Sequence, residues 1–111
     1  MKEIKVRKLN SFLDKSVGLL SNDKPEAVFF KTHFGIHTFF MKFAIDVVIL
    51  DKLDRVVSLK EHLKPNRIFM WNPVHEVVLE LPVGTIEKLQ LSKNQKIKLS
   101  LCSSSTQQKQ R

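Results

Sequence analysis

Residues 44–50 have the sequence AIDVVIL, an apolar and β-branched run with one acid, Asp46, inside it. Such a run is apolar on both faces, which is typical of a central strand that other layers cover on both sides. The longest apolar stretch, Phe43 to Leu50, is too short for a transmembrane helix. We therefore expect a sheet built around this strand, and no membrane span.

Shorter runs on either side of this segment predict further strands. Residues 3–9 (EIKVRKL) alternate apolar and charged residues, so that Ile4 and Val6 are expected to face inward and Lys5 and Arg7 outward. Turn-forming residues separate the remaining strand-like runs, which are 27–31, 36–41, 55–59, 74–81 and 96–101.

Two short helices complete the prediction. One runs from Asn10 or Ser11 to about Leu20, and the other follows Thr85 as its cap. The chain of 111 residues has room for one domain, which we assign to residues 1–102. The polar residues 103–111 are expected to form a disordered tail. The fold class is mainly β: a compact β-sandwich or small jelly-roll-like barrel of about seven or eight short strands with two short helices.

The net charge of +8 is concentrated at the two ends of the chain. Residues 88–111 contain six basic residues and no acid, whereas the segment between residues 8 and 88 is nearly balanced. If the first and last strands are neighbours, they present a basic patch on one face, formed by Lys5, Arg7, Lys96 and Lys98. Such a patch can attract nucleic acid, but lysine-rich surfaces also serve solubility alone.

Cysteine and histidine usage restricts the classes of site. A single cysteine, Cys102, excludes an intrachain disulfide and a cysteine-based zinc finger. The first residues alternate charged and apolar side chains unlike a secretory signal, so a cytoplasmic location is expected. The four histidines lack zinc-helix spacing, and no phosphate-loop, nucleophile-elbow or dinucleotide motif occurs. We therefore expect no cofactor and no metal.

Three motifs carry a resemblance to a known family: VGLL at residues 17–20, IHTFFMKFAIDVVILD at 36–51 and VVLELPVG at 77–84. Over residues 15–101 the chain resembles the domain-of-unknown-function family numbered one hundred and ninety-two. The sequence departs from the family pattern at Ala44, where proline is usual, and at Leu20, where methionine is common. The resemblance implies a compact, mostly β sandwich and no assigned reaction.

Asp46 is the first candidate for chemistry, because a buried carboxylate needs a hydrogen-bonding partner. A two-residue loop at Lys42-Phe43 would pair Phe39 with Asp46 and make His37 a diagonal neighbour of the carboxylate. The pair would then be an acid/base or metal-binding element, or a structural hydrogen bond that fixes the hairpin or caps a nearby backbone group.

Glu80 is the second candidate. It either faces Asp46 across the sandwich as a second carboxylate, or lies exposed on its strand and balances a neighbouring lysine. With Met41 and Trp71 these residues complete a candidate groove, whose members are His37, Met41, Asp46, Trp71 and Glu80.

No complete catalytic arrangement accompanies this groove, so we expect a non-enzymatic module that binds a small molecule or a protein partner. Two alternatives stay open. One is an enzyme that uses His37 and Asp46 as an acid/base or metal site. The other is nucleic-acid binding through the basic patch, which predicts an affinity that falls steeply with salt.

Overall fold

A computed structural model of the protein describes residues 2–8, 27–33, 35–39 and 41–101. The predicted helix at residues 11–20 and the predicted tail at 103–111 lie outside the described residues. Eight strands and one helix are present in the described part: β1 (Lys2–Lys8), β2 (Val28–Lys31), β3 (Ile36–His37), β4 (Ile45–Leu50), β5 (Val56–Leu63), β6 (Ile68–Phe69), β7 (Val77–Pro82), α1 (Thr85–Leu89) and β8 (Ile97–Leu101).

Six of the strands form one sheet in the order β5-β4-β7-β2-β1-β8, and β3 pairs with β6 in a second, two-stranded sheet. β1 runs parallel to both β2 and β8, whereas β2–β7, β7–β4 and β4–β5 are antiparallel pairs. All six residues of β4 are buried, which confirms the central strand expected from its apolar run. The first and last strands are neighbours, which is the condition stated above for the basic patch.

The large sheet curls until its two edges meet at one end. Arg55, just before β5, forms an antiparallel bridge with Lys96, just before β8. The amide of Val56 donates to the carbonyl of Gln95 at 2.9 Å, and the amide of Asn94 donates to the carbonyl of Val56 at 2.8 Å. These bonds close the sheet locally, as in a small barrel. The predicted mainly β fold is therefore confirmed.

Each face of the curled sheet has its own apolar core. The inner core holds Ile4, Val48, Leu81 and Ile97, together with Ile86 from α1. The outer core holds alternate residues of the same strands, and Ile36 of β3, Met41, Phe43, Phe69 and Trp71 pack into it. Because side chains alternate along a strand, a strand covered on both faces, such as β4, contributes side chains to both cores. Among the described residues, no helix is long and apolar enough to cross a membrane.

The predicted hairpin between residues 36–41 and β4 is wrong. β3 ends after His37 and pairs with β6, not with β4. The reason is Thr38, a fully buried residue that turns the chain onto the segment 64–67. Its hydroxyl donates to the carbonyl of Lys64 at 2.6 Å and accepts from the amide of Arg67 at 2.9 Å.

Three other boundaries differ from the predictions. β5 continues to Leu63, and β7 begins at Val77 because the segment before it forms a turn, in which the amide of His75 donates to the carbonyl of Asn72. The short helix after Gly84 is confirmed, but Thr85 does not cap it. The cap residue is Gly84, and the Thr85 hydroxyl donates to the carbonyl of Pro82 at 2.6 Å.

Candidate functional site

An apolar groove of about 690 Å³ lies beyond the end of β2 and against the two-stranded sheet. Phe39 and Ile68 are 39% and 63% exposed there, so both present apolar surface to solvent within the groove. The described residues that line the groove are Lys31, Thr32, His33, Gly35, Ile36, His37, Phe39 and Ile68. Apolar clefts with a few converging polar groups are the usual form of small-molecule sites.

Gly35 allows the floor of this groove to form. Its φ of +91° is a left-handed conformation that L residues rarely adopt. A Cβ atom at this position would lie 2.9 Å from the carbonyl oxygen of Phe69 and 3.0 Å from the Cγ atom of Met70. The close approach of residue 35 to the segment around β6 therefore requires glycine.

Two histidines give the groove its polar edge. The ring of His37 stacks on Phe39 with centroids 4.9 Å apart, and its Nδ1 accepts from the amide of Phe39 at 3.3 Å. At the rim, the Nε2 of His33 lies 3.0 Å from a carboxylate oxygen of Glu76. The Nδ1 of His33 lies 2.7 Å from the carbonyl oxygen of Pro73. Both rings are thus held in fixed orientations.

A second cavity of about 650 Å³ opens where β4 ends and β7 begins. Its apolar lining comes from Phe29, Leu50 and Leu99, and its rim carries charges of both signs, among them Lys52 and Asp54. In the described part of the chain, no three histidine, cysteine or acidic side chains are grouped so that they can hold a metal ion. Because its charges are of both signs, this cavity favours no one class of ligand, unlike the apolar groove.

Asp51, at the edge of this second cavity, organises the turn between β4 and β5. One carboxylate oxygen accepts from the amides of Leu53 at 2.8 Å and Arg55 at 3.0 Å, and the other accepts from the Arg55 guanidinium at 3.0 Å. The hydrogen bond from the Arg55 amide is the main cause that lowers the pKa of Asp51 below its ordinary value. Asp51 therefore stabilises the turn between β4 and β5.

Asp46 is buried on the inner face of the sheet, away from His37. Its Oδ2 accepts from the amides of Gly84 at 3.1 Å and Ile86 at 2.9 Å, and its Oδ1 accepts from the amide of His62 at 3.0 Å. The carboxylate thus caps α1 from another strand. Since β3 and β4 do not pair, the proposed His37–Asp46 acid/base pair is wrong, and the hydrogen-bonding interpretation of Asp46 fits the geometry.

Glu80 is fully buried but lies on the opposite face of the sheet from Asp46. Asp46 is in register with Leu81, and Val47 is in register with Glu80, so the two carboxylates belong to different faces. Both interpretations of Glu80 are therefore wrong: it neither faces Asp46 nor lies exposed. Arg7 occupies the same row and face two strands away, with Val28 between them.

The remaining predicted groove residues are separated. Met41 and Trp71 pack against the outer core, and the indole N–H of Trp71 donates to the carbonyl of His75 at 2.8 Å. Of the five predicted residues, only His37 lines the apolar groove. Sequence reasoning missed Phe39, Ile68 and Lys31, although Ile68 stands in a short segment between turns, where an apolar side chain has little sheet to cover it.

The predicted basic patch lies along the outer edge of the large sheet. Register places Lys5 and Lys98 on one face, opposite the face that carries Ile4 and Ile97. Glu3 is directly in register with Lys98, so an acid interrupts this row. Nucleic-acid binding through Lys5, Arg7, Lys96 and Lys98 stays a prediction.

Comparisons with known proteins agree with this architecture. The family model of DUF192, described as "Uncharacterized ACR", matches residues 1–99. The chain is 33% identical over 102 residues to "UPF0127 protein PH1112" of Pyrococcus horikoshii, covering 86% of this chain and 88% of that protein. It is 32% identical over 101 residues to "UPF0127 protein PYRAB11210" of Pyrococcus abyssi, covering 86% of each.

Two solved structures share the fold. A protein of unknown function from Novosphingobium aromaticivorans has a TM-score of 0.67 at 14% identity, covering 85% of this chain and 71% of that one. A putative transcription regulator from Sinorhizobium meliloti has a TM-score of 0.65 at 15% identity, covering 80% and 76%. At these identities the likeness extends to the fold alone.

Proposed function

Because the chain belongs to the DUF192 family of uncharacterised proteins, we propose its function from its own groove: non-enzymatic binding of a small amphipathic anion. The ligand has a flat or aliphatic apolar body and one negatively charged group. The observation that carries the proposal is the apolar groove with its exposed Phe39 and Ile68 and a lysine at its edge.

The apolar body of the ligand packs on Phe39 and Ile68. Both side chains are exposed to water in the free protein, so covering them is favourable at about 25 cal/mol per Å² of apolar surface. The His37–Phe39 stack presents a flat surface, which favours an aromatic ring on the ligand.

The charged group of the ligand is bound at the rim. Lys31 is exposed at the end of β2, and none of the described lining residues is acidic. Glu76, which neighbours the groove, lies 3.0 Å from the Nε2 of His33. In the described part of the chain it forms no ion pair with Lys31. Lys31 therefore favours an anion over a neutral ligand.

The two buried carboxylates, Asp46 and Glu80, lie outside the groove and take no part in the proposed binding. Both oxygens of Asp46 are occupied by backbone amides on the inner face of the sheet. Glu80 is enclosed in the middle of the sheet. Neither group lines the groove, whose described acid/base side chains are His33, His37 and Lys31.

The test is a titration with anilinonaphthalene sulfonate, an aromatic anion, beside phenylnaphthylamine, its uncharged analogue. Replacing Ile68 by serine removes apolar contact and is expected to weaken binding of both probes about tenfold. Lys31→Gln is expected to weaken only the anionic probe. Leu53→Ser, at another exposed apolar residue, is the matched control and leaves both affinities unchanged.

The melting temperature of each variant is measured alongside, so that a general loosening of the fold is recognised. Equal affinities of the wild-type protein and the folded Ile68→Ser variant for both probes would refute the proposal.

A further inference from the structure

A cationic groove of about 420 Å³ adjoins the apolar groove at the end of β5. Ile68 lines both grooves, so the two form one continuous surface. The described lining residues of the cationic groove include no acid; they are Lys60, His62, Leu63, Lys64, Arg67, Ile68 and Phe69.

The cations of this groove are available to a ligand. In the described part of the chain, no carboxylate forms an ion pair with Lys60, Lys64 or Arg67. All three residues are exposed. The guanidinium of Arg67 makes a single long contact, 3.4 Å, to the neighbouring carbonyl of Asn66. The surface therefore concentrates positive charge that its own side chains do not neutralise.

Thr38 fixes the two grooves relative to each other. It lies between His37 and Phe39 of the apolar groove, and its hydroxyl bonds the carbonyl of Lys64 and the amide of Arg67. The carbonyl of Thr38 also accepts from the amide of Asn66 at 3.0 Å. The turn that carries the cations is thus anchored to the segment that carries the aromatic stack, which makes the spacing between them rigid.

From this juxtaposition we infer that the anion bound in the apolar groove is one nucleotide of a single-stranded nucleic acid, an inference that rests on the proposed function of that groove. One base lies on the flat surface of Phe39 and Ile68, and the neighbouring phosphates lie against Lys60, Lys64 and Arg67. A flat apolar platform beside a positive track is the combination by which proteins bind single strands with little sequence preference. A polymer of acidic residues such as polyglutamate offers the charges without the flat apolar groups that fill the first groove.

The inference is tested by the fluorescence anisotropy of a labelled oligothymidylate of about ten nucleotides. Three phosphate contacts on a single strand predict that the logarithm of the affinity falls with the logarithm of salt concentration with a slope of about −2. The double variant Lys64→Gln/Arg67→Gln is expected to lower the affinity at least tenfold and to flatten this slope to about −0.7. The matched control is Lys88→Gln/Lys93→Gln, on α1 and the turn after it, which leaves both quantities unchanged.

Phe39→Leu separates stacking from charge. Loss of the ring is expected to weaken oligothymidylate binding about tenfold without changing the salt slope. If Phe39→Leu binds as the wild type does, or if polyglutamate at equal charge displaces the strand as well as unlabelled oligothymidylate does, the surface is a general polyanion site and the inference is wrong.

The two proposals fail in different ways. The Lys64→Gln/Arg67→Gln variant is expected to keep full affinity for anilinonaphthalene sulfonate while losing the oligonucleotide. A wild-type protein that binds this probe in an Ile68-dependent way but binds no oligonucleotide overturns the inference and leaves the proposed function in place. A protein that binds neither overturns both.

Discussion

Asp46 shows how one buried side chain can join parts of the chain that are far apart in sequence. Its carboxylate holds the start of α1 through Gly84 and Ile86 and, through His62, an irregularity of β5. The amide of His62 is available because the backbone there is left-handed, with φ at 55°. The sequence identified Asp46 as a buried acid that needs a partner. It did not identify the partners, because they are backbone amides, which no side-chain pattern locates.

Asp46→Asn is expected to destabilise the protein by about 3 kcal/mol. An asparagine side chain has one acceptor oxygen and one NH₂ group, so at least one of the three amides then faces a donor. The free energy of unfolding is measured by urea denaturation at neutral pH. Asp54→Asn is the matched control: Asp54 lies in a turn with φ at 63°, which asparagine tolerates, and the change is expected to alter stability by less than about 0.5 kcal/mol. Equal effects of the two substitutions would contradict the capping role.

The two described glycines with positive φ provide a second comparison. Gly84→Ala has no heavy atom within 4 Å of the added Cβ, so it is expected to cost about 1 kcal/mol from the backbone conformation alone. Gly35→Ala adds a collision with the Phe69 carbonyl at 2.9 Å and is expected to cost at least about 2 kcal/mol. Gly35→Ala should also weaken probe binding in the apolar groove, whereas Gly84→Ala should not. Urea denaturation and the probe titration check both expectations.

At the level of elements, periodicity located most strands but not their partners. β1, β2, β4, β7, β8 and the short helix were predicted from alternation, apolar runs and turn residues. The turn after His37 was not predicted. The aromatic run there suggests a continuous strand, whereas the buried hydrogen bonds of Thr38 turn the chain. The predicted hairpin, and with it the predicted site, depended on that segment.

The β4–β5 turn has a pH dependence that follows from Asp51. Because the pKa of Asp51 is lowered in the folded state, its carboxylate stabilises the fold above the ordinary aspartate pKa of about 3.9, and this contribution is lost as the pH falls through the lower folded-state value. The difference in stability between the wild type and Asp51→Asn is therefore expected to be larger at pH 7 than at about pH 3. Denaturation midpoints at the two pH values measure it. A difference that stays constant, or grows on acidification, would contradict this assignment.

At the scale of the whole molecule, local closure of the sheet was not predictable from local pattern. The order β5-β4-β7-β2-β1-β8 places strands side by side that are distant in sequence, and the bonds between Val56 and residues 94–95 join its two edges. The sequence offered a sandwich and a barrel as alternatives, because both have alternating short strands. The sheet order, which decides how the edges meet, depends on long-range packing.

Local closure predicts slow hydrogen exchange at positions that would be open edges in a flat sheet. The amides of Val56 and Ile97 donate to Gln95 and Asp54, both at 2.9 Å. They are expected to exchange only with global unfolding, whereas the amide of Leu53, which donates to the Asp51 carboxylate in the β4–β5 turn, is expected to exchange through local opening. Residue-resolved exchange by NMR measures the two classes. Exchange of Val56 and Ile97 as fast as that of Leu53 would mean that the two edges separate readily.

The parallel pairing of β1 with β8 has a consequence for how the chain folds. Lys2 is in register with Ile97, so one ladder of the sheet closes a loop of nearly the whole described length. Such high contact order places folding in the slow range of small β proteins, about milliseconds to seconds. On the ribosome, β1 is synthesised well before β8, so the edge of β1 that β8 covers stays open to other chains until β8 has been made.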